Sequence, residues 1–511
     1  MALTAQPAVR AGRSEWVGLA VLALPTLLVT MDMSVLFLAV PKLTRALHPS
    51  SAELLWITDI YGFFIAGSLL TMGALGDRIG HRRLLLTGGA AFAVGSLLAA
   101  FSTSPAMLIA ARALLGIAGA SLAPSSLALI TSTFTDERQR ATAIGIWISC
   151  FAAGAAIGPL LGGALLQHFW WGSVFLPNVA AMALLLAIGP RTLPGSSDAT
   201  GARLDPASAL LATAAVLAGV YGITRAAEHG FQVAEAGSIA VGLALGAIFL
   251  ARQRRLSEPL VELSLFRGRA FTAALGSNCV AAFVAIGIEL FTAQYLQLVL
   301  GMGPFQAGLW SLPSAAGIIA GSMLAPRLTD IAPPARIVPS GLALAAAGLL
   351  VLMLAGPNSG LAAIVAGTTL IGLGVGPVGT LATDLIVAAA PAEAAGAASG
   401  ISETGTELGG ALGIAILGSV GAAVYRSDFG TRIPAAGAPP QARETLGGAV
   451  SASSGLRTGL GDQVLAAAHT AFVHGFRVAS LLAAGVAFLM AALASSCKTL
   501  NPTNPEQRHV D

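Results

Sequence analysis

Fourteen stretches of this chain are each long and apolar enough to cross a lipid bilayer, and that repetition leaves few folds open. They run roughly over 16–41, 54–75, 84–101, 107–130, 141–166, 173–189, 206–225, 235–251, 270–298, 305–326, 336–355, 361–388, 396–424 and 474–495. A span needs about 20 apolar residues. In hydrocarbon every backbone N–H and C=O must be paired internally, so runs of this length become helices. Only 10% of the residues are charged, against about 25% in soluble domains. The expected fold class is an all-α polytopic membrane protein. The first apolar run is too long for the core of a cleavable signal, and no A-x-A site follows it, so it should remain as a span.

Lysine and arginine set the direction of threading. With the N-terminus inside, eighteen of the 27 Lys and Arg fall in inside segments and seven in outside ones. Four of those seven lie in one long segment, about 425–473, where the rule is weak. Both termini are therefore expected to be cytoplasmic, in a multi-pass protein of the inner or plasma membrane. The 425–473 segment is rich in Gly, Ala, Ser and Pro and reads as an outside linker, partly disordered or with short helices.

An acid inside such a span costs roughly 2.5–3.5 kcal/mol by insertion scales, so it needs a protein-lined surrounding. Seven ionisable residues fall inside the spans: Asp32, Asp59, Arg112, Glu289, Asp384, Glu403 and Glu407. Six are acids, and one arginine cannot neutralise them all, so some must be protonated or wet. Asp32, Asp59 and Arg112 lie toward the outer ends of their spans and could form one cluster. Asp59 reads equally as an interfacial helix cap, and Arg112 as a charge anchor between the two acids. Glu289 stands at a similar depth to Asp32, so the two are expected to face each other across a central cavity. Glu403 and Glu407 share one helical face. Glu407 is deeper and ranks higher as a proton or cargo contact, while Asp384 is expected to cap or latch the inner end of its span. Met31, Met33, Phe37, Tyr61, Trp147, Phe291, Tyr295 and Trp310 could line a pocket for flat cations, although most should prove to be packing.

Three strings carry a resemblance. The loop between spans two and three reads Gly73-Ala-Leu-Gly76-Asp77-Arg78-Ile-Gly80-His81-Arg82-Arg83. Its glycines allow tight turns, and Asp77 can accept from Arg78, Arg82 or a nearby helix N-terminus to form a cytoplasmic latch. Span five carries Gly154, Gly158, Pro159, Gly162 and Gly163, and span one ends Met31-Asp32-Met33-Ser34-Val35 through Pro41. Together these resemble the major facilitator superfamily and, within it, the fourteen-span drug:proton antiporters that export quaternary-ammonium compounds and dyes. The pattern usually has Asn where this chain has Phe37. A worn copy of the loop, Gly321 to Asp330 with Arg336, pairs spans 1–6 with 9–14 and leaves spans seven and eight as an insert.

The resemblance implies a major facilitator fold of 14 transmembrane helices. It comprises a cytoplasmic N-terminus (1–15), a six-helix bundle (16–189), inserted helices with their loops (190–269), a second six-helix bundle (270–495) and a cytoplasmic tail (496–511). It further implies a gating role for the span-five motif and proton/substrate binding by Asp32, Glu289, Glu407, Glu403, Asp59 and Arg112.

No phosphate loop, H-E-x-x-H or G-x-S-x-G occurs, and Cys150, Cys279 and Cys497 match no metal spacing. The expectation is a non-enzymatic, monomeric antiporter with no cofactor, driven by the proton gradient. Its partners would be cationic or amphipathic drugs, protons and lipid, with no nucleic acid. The rival readings are an exporter of an endogenous metabolite, lipid or antibiotic and, in another class, a membrane-embedded enzyme.

Overall fold

The computed structural model describes residues 11–496 apart from 50, 196–204, 230–231, 257–258, 358–359, 392–393, 434–438 and 454–457. Cys497 and the expected cytoplasmic tail lie outside the described residues, as do residues 1–10 of the N-terminal segment.

Among the described residues, fourteen helices are long and apolar enough to span a membrane. The first half holds α1 (Arg13–Leu47), α2 (Ser51–Ile79), α3 (His81–Ala100), α4 (Pro105–Thr133), α5 (Glu137–His168) and α6 (Leu176–Thr192). Next come α7 (Pro206–His229) and α8 (Val233–Gln253). The second half holds α9 (Arg269–Gln294, continued by a π turn), α10 (Pro304–Leu328), α11 (Pro334–Leu352), α12 (Leu361–Ala388) and α13 (Ala395–Arg432). After the short α14 (Pro440–Glu444) and α15 (Leu446–Ser453), α16 (Thr458–Ser496) closes the chain. Local signals set several starts: Ser104 and Asp136 accept from the backbone N–H of Met107 and Gln139, capping α4 and α5.

The two halves share one packing scheme. In the first, α1 packs on α5 and α6, α2 on α4, and α3 on α4 and α6. In the second, α9 packs on α13 and α16, α10 on α12, and α11 on α12 and α16. Each half has its own apolar core. The halves meet where α2 packs on α13 and α5 on α10. Polar bridges between them gather at the end of the bundle where α1 starts and α16 finishes, here called the terminal end.

Helices α7 and α8 form a hairpin whose α7 lies on both α2 and α13, across the seam between the halves. At the terminal end, Asp205 accepts from Arg252 Nε at 2.8 Å and from Ser208 Oγ at 2.7 Å. Gln253 Oε1 accepts the Leu260 N–H at 2.6 Å, tying the hairpin to the loop that leads into α9.

The segment expected to be a passive outside linker is instead a folded cap. Extended ends of α13 and α16 enclose α14 and α15. Tyr425 Oη donates to the Ala442 carbonyl at 2.8 Å, and Leu446, Ala449, Val464 and Ala468 are buried. Its small residues have the composition of a linker, whereas in Ala-rich helices they allow close packing. Residues 434–438 and 454–457 of this segment lie outside the described residues.

Candidate functional site

Asp32 sits at the centre of a closed polar network inside the first half. Arg112 Nη1 on α4 donates to Asp32 Oδ2 at 2.5 Å, and Asn178 Nδ2 on α6 donates to Oδ1 at 2.8 Å. Arg112 Nε donates to the Ile57 carbonyl on α2 at 3.2 Å. Its guanidinium lies 4.4 Å from the centroid of the Tyr61 ring, whose hydroxyl donates to the Val29 carbonyl at 3.2 Å. Asp32 is 4% exposed and Arg112 1%, so the pair is desolvated and depends on these additional bonds to hold both charges.

The sequence sets Asp32 opposite Glu289 across a cavity; the structure turns the Asp32 carboxylate into the first half. Both carboxylate oxygens of Asp32 are engaged within the first half, whereas Glu289 is exposed on α9. Depth along a helix is readable from sequence; the direction of the side chain depends on which neighbours α4 and α6 supply. Sequence reasoning misses Asn178, whose only signal is a lone amide in the apolar run of α6. Asp59 is half-buried and accepts from Thr58 Oγ1 at 2.9 Å, and Arg112 meets the Ile57 carbonyl and the Tyr61 ring of the same helix.

Glu403 and Glu407 stand one turn apart on α13, the first buried and the second half-buried. Around them Asn278 Nδ2 on α9 donates to Ser402 Oγ at 3.2 Å and Thr406 Oγ1 at 3.0 Å. Thr383 Oγ1 on α12 lies 3.5 Å from Ser402 Oγ.

Most of the aromatic and thioether candidates are packing. Met31, Tyr61, Trp147, Phe291 and Tyr295 are buried, and Trp310 is exposed. The side chains of Met33 and Phe37 lie outside the described residues.

The terminal end carries the latch. Asp77 Oδ1 and Oδ2 accept the N–H groups of Gly396 and Ala397, each at 2.8 Å, so a carboxylate of the first half caps the N-terminus of α13 in the second. The helix N-terminus, one of the partners open to Asp77 in the sequence, is therefore used. A Cβ on Gly73 would fall 2.2 Å from the Gly396 carbonyl oxygen, so only glycine lets the helices meet there. Arg140 Nε donates to Asp384 Oδ1 at 2.6 Å, and Arg138 reaches Asp330 at 3.0 Å, two further bridges between halves. Arg82 instead donates to the Pro190 carbonyl within the first half; Arg78 is buried and Arg83 exposed.

In α5 the glycine motif packs within one half. A Cβ on Gly154 would fall 2.3 Å from the Leu27 carbonyl oxygen of α1, and one on Gly162 would fall 2.7 Å from Val35. Gly158 is buried, a Cβ on Gly163 would meet open space, and the side chain of Pro159 lies outside the described residues. Besides its arginine bridges, α5 meets the second half at Gly145, against the Ser322 carbonyl of α10.

Comparison with known proteins places this geometry. The family model of the Major Facilitator Superfamily matches residues 22–414. Multidrug efflux pump LfrA of Mycolicibacterium smegmatis is 44% identical over 482 residues, covering 94% of this chain and 95% of that protein. Methyl viologen resistance protein SmvA of Salmonella typhimurium is 35% identical, covering 93% and 97%. The tetracenomycin C resistance and export protein of Streptomyces glaucescens is 33% identical, covering 95% and 92%. Among solved structures, the human organic anion transporter MFSD10 (TETRAN) superposes with a TM-score of 0.57 at 15% identity, covering 94% of this chain and 99% of that one, which speaks to the fold alone.

Proposed function

This chain belongs to the major facilitator superfamily as a multi-pass membrane protein, and from that premise we propose that it is a multidrug efflux antiporter of the cell membrane, exporting amphipathic cations in exchange for protons. The observation that carries the reading is the acidic face of α13. Glu403 and Glu407 lie one turn apart, buried and half-buried, beside hydroxyls and an amide. Two such carboxylates cannot both stay ionised without a counter-charge, so each favours a proton or an organic cation in turn. Relatives named for multidrug efflux and methyl viologen resistance support the cargo class.

The bias of Lys and Arg supports a cytoplasmic terminal end. With Asp77, Arg138 and Arg140 bridged to the second half at that end, this conformation is closed toward the cytoplasm in the proposed cycle. Outside, the acids take up protons and release cargo; inside, they lose protons and bind the next cation as the halves rock. The energy source is the proton gradient, with no cofactor and no catalytic step, and the working unit is the monomer in lipid.

A second reading, export of an endogenous antibiotic or metabolite, is favoured by the similarity to the tetracenomycin C exporter. Ethidium and methyl viologen uptake into inside-out vesicles, with ΔpH imposed and then collapsed, tests the main reading. Uptake should require the gradient; uptake indifferent to ΔpH, or none of either cation, overturns it.

A further inference from the structure

Two rows of residues run along α13, and they face different partners. Gly396 and Gly400 lie against α2 of the first half: a Cβ on Gly400 would fall 2.9 Å from the Leu69 carbonyl oxygen, and one on Gly396 would strike the Gly73 carbonyl. Glu403 and Glu407 continue that row at helical spacing, so the helix carries both acids on the side of the first half. Ser402, Thr406, Gly409 and Gly413 form a second row, which faces α9 of their own half. There a Cβ on Gly409 would strike the Cys279 carbonyl and one on Gly413 the Phe283 carbonyl. Each acid follows a residue of this second row by one position, about 100° around the helix.

Glycines let α13 and α9 approach closely but present no side chain that resists turning. A directional contact comes from Asn278 of α9. It is buried, and its Nδ2 group donates to Ser402 Oγ at 3.2 Å and to Thr406 Oγ1 at 3.0 Å. Thr406 Oγ1 in turn donates to the Ser402 carbonyl at 3.1 Å, and Thr383 Oγ1 of α12 lies 3.5 Å from Ser402 Oγ. Two hydroxyls one turn apart on α13 are thus held by one amide group, which has two N–H to give. We propose that Asn278 is a positioning residue for exchange: by fixing the rotation of α13 against α9, it keeps Glu403 and Glu407 turned toward the first half.

The proposal rests on the reading of α13 as the exchange site and adds the residue that aims it. A turn of α13 in either direction carries Ser402 and Thr406 away from the amide together, and a buried amide without its acceptors is costly. An alkyl side chain of similar size at 278 would remove that penalty. The glycine row would still let the helices pass, and α13 would sample several rotations. Asn278 and α13 both belong to the second half, so the restraint holds while the halves rock. The acids then meet the cargo already oriented, with less ordering left to binding itself.

The test compares the parent with Asn278→Leu, which keeps the volume and removes both donors. In inside-out vesicles the KM for methyl viologen should rise about tenfold, the scale of one buried hydrogen-bonding group, with kcat within about twofold of the parent. A spin label at Ile416→Cys, an exposed position on α13, reports rotation in a full chain whose native cysteines are replaced by alanine. In lipid nanodiscs its spectrum should gain, in the Leu variant, a second motional population that the parent lacks. Ser402→Ala/Thr406→Val removes the acceptors from the other side of the contact. It should reproduce both effects without adding to them when combined with Asn278→Leu, and it stands in if the Leu variant does not fold. A Leu variant with the parent's KM or the parent's spectrum, or effects that add, overturns the proposal. Because the label reports rotation without transport, a second population in the Leu variant alongside methyl viologen uptake that ignores ΔpH discards the transport reading alone.

Discussion

Arg112 Nη1 lies 2.5 Å from Asp32 Oδ2, and neither side chain is more than 4% exposed. Removing one partner of a buried pair leaves the other charge without compensation, at a cost of about 3–5 kcal/mol. Arg112→Ala should therefore lower the melting temperature in detergent far more than Asp32→Asn, since the amide that replaces the carboxylate could still accept from Arg112. The double variant Asp32→Asn/Arg112→Gln should recover much of the loss. Equal destabilisation by both single variants would show that the network around Asp32, not its charge, sets stability. Export of cations should fail in Asp32→Asn even where the fold survives.

The latch makes a different demand, on space. With a Cβ only 2.2 Å from the Gly396 carbonyl oxygen, Gly73→Val cannot close the terminal end as seen here. Efflux should fall at least about tenfold, the scale of a population shift of roughly 1.4 kcal/mol. Cysteines placed on α2 and α13 at this end should cross-link readily in the parent and poorly in the variant. Efficient cross-linking in the Val variant would show that the helices can slip past the clash.

The Arg140–Asp384 bridge is partly exposed, so it should contribute about 1 kcal/mol or less. Arg140→Asp alone should cut efflux severalfold by setting two acids together, and the reversed pair Arg140→Asp/Asp384→Arg should restore part of it. A double variant no better than the single one would remove charge complementarity from the account of this bridge.

Legibility in the sequence followed the range of the cause. Span number and the i,i+4 pairing of Glu403 with Glu407 depend on local apolar length and helical period, and both can be read directly. The latch is half legible: Asp77 stands out in its loop, but its partner lies more than 300 residues away at the N-terminus of α13. The direction of Asp32 is not legible, because α4 and α6 decide which way it faces and a helix running through lipid carries little amphipathic signal to show its rotation. The cap after α13 is hidden for another reason: alanine and glycine mark linkers and tight helix packing alike.

The α7–α8 hairpin carries a carboxylate clamp at the terminal end. Asp205 accepts from Arg252 and Ser208, and these bonds hold its carboxyl well below the usual carboxylate range. A depressed folded-state value means that its contribution is complete above the unfolded value, about 4, and is lost only as pH falls through the folded one. Between pH 8 and pH 5.5 the clamp should not titrate. Hydrogen exchange in residues 259–262, corrected for intrinsic rates, should be the same at both pH values in the parent and faster in Asp205→Asn. A pH-dependent change in the parent would assign part of any acid response to the hairpin.

On α13, Glu407 is half-buried, whereas Glu403 is buried. The less buried acid is the better site for exchanging a proton with a cation. Glu407→Gln should therefore abolish ΔpH-driven uptake of methyl viologen into inside-out vesicles while leaving the melting temperature within a degree or two of the parent, because it removes a charge that the bundle must otherwise solvate. Glu403→Gln should reduce the rate about tenfold but keep its dependence on ΔpH. Glu289→Gln, at an exposed site on α9, should change apparent affinity for the cation more than coupling. Uptake that stays ΔpH-driven in Glu407→Gln would move the exchange site to Glu403, and full activity in both variants would take proton exchange away from α13 altogether.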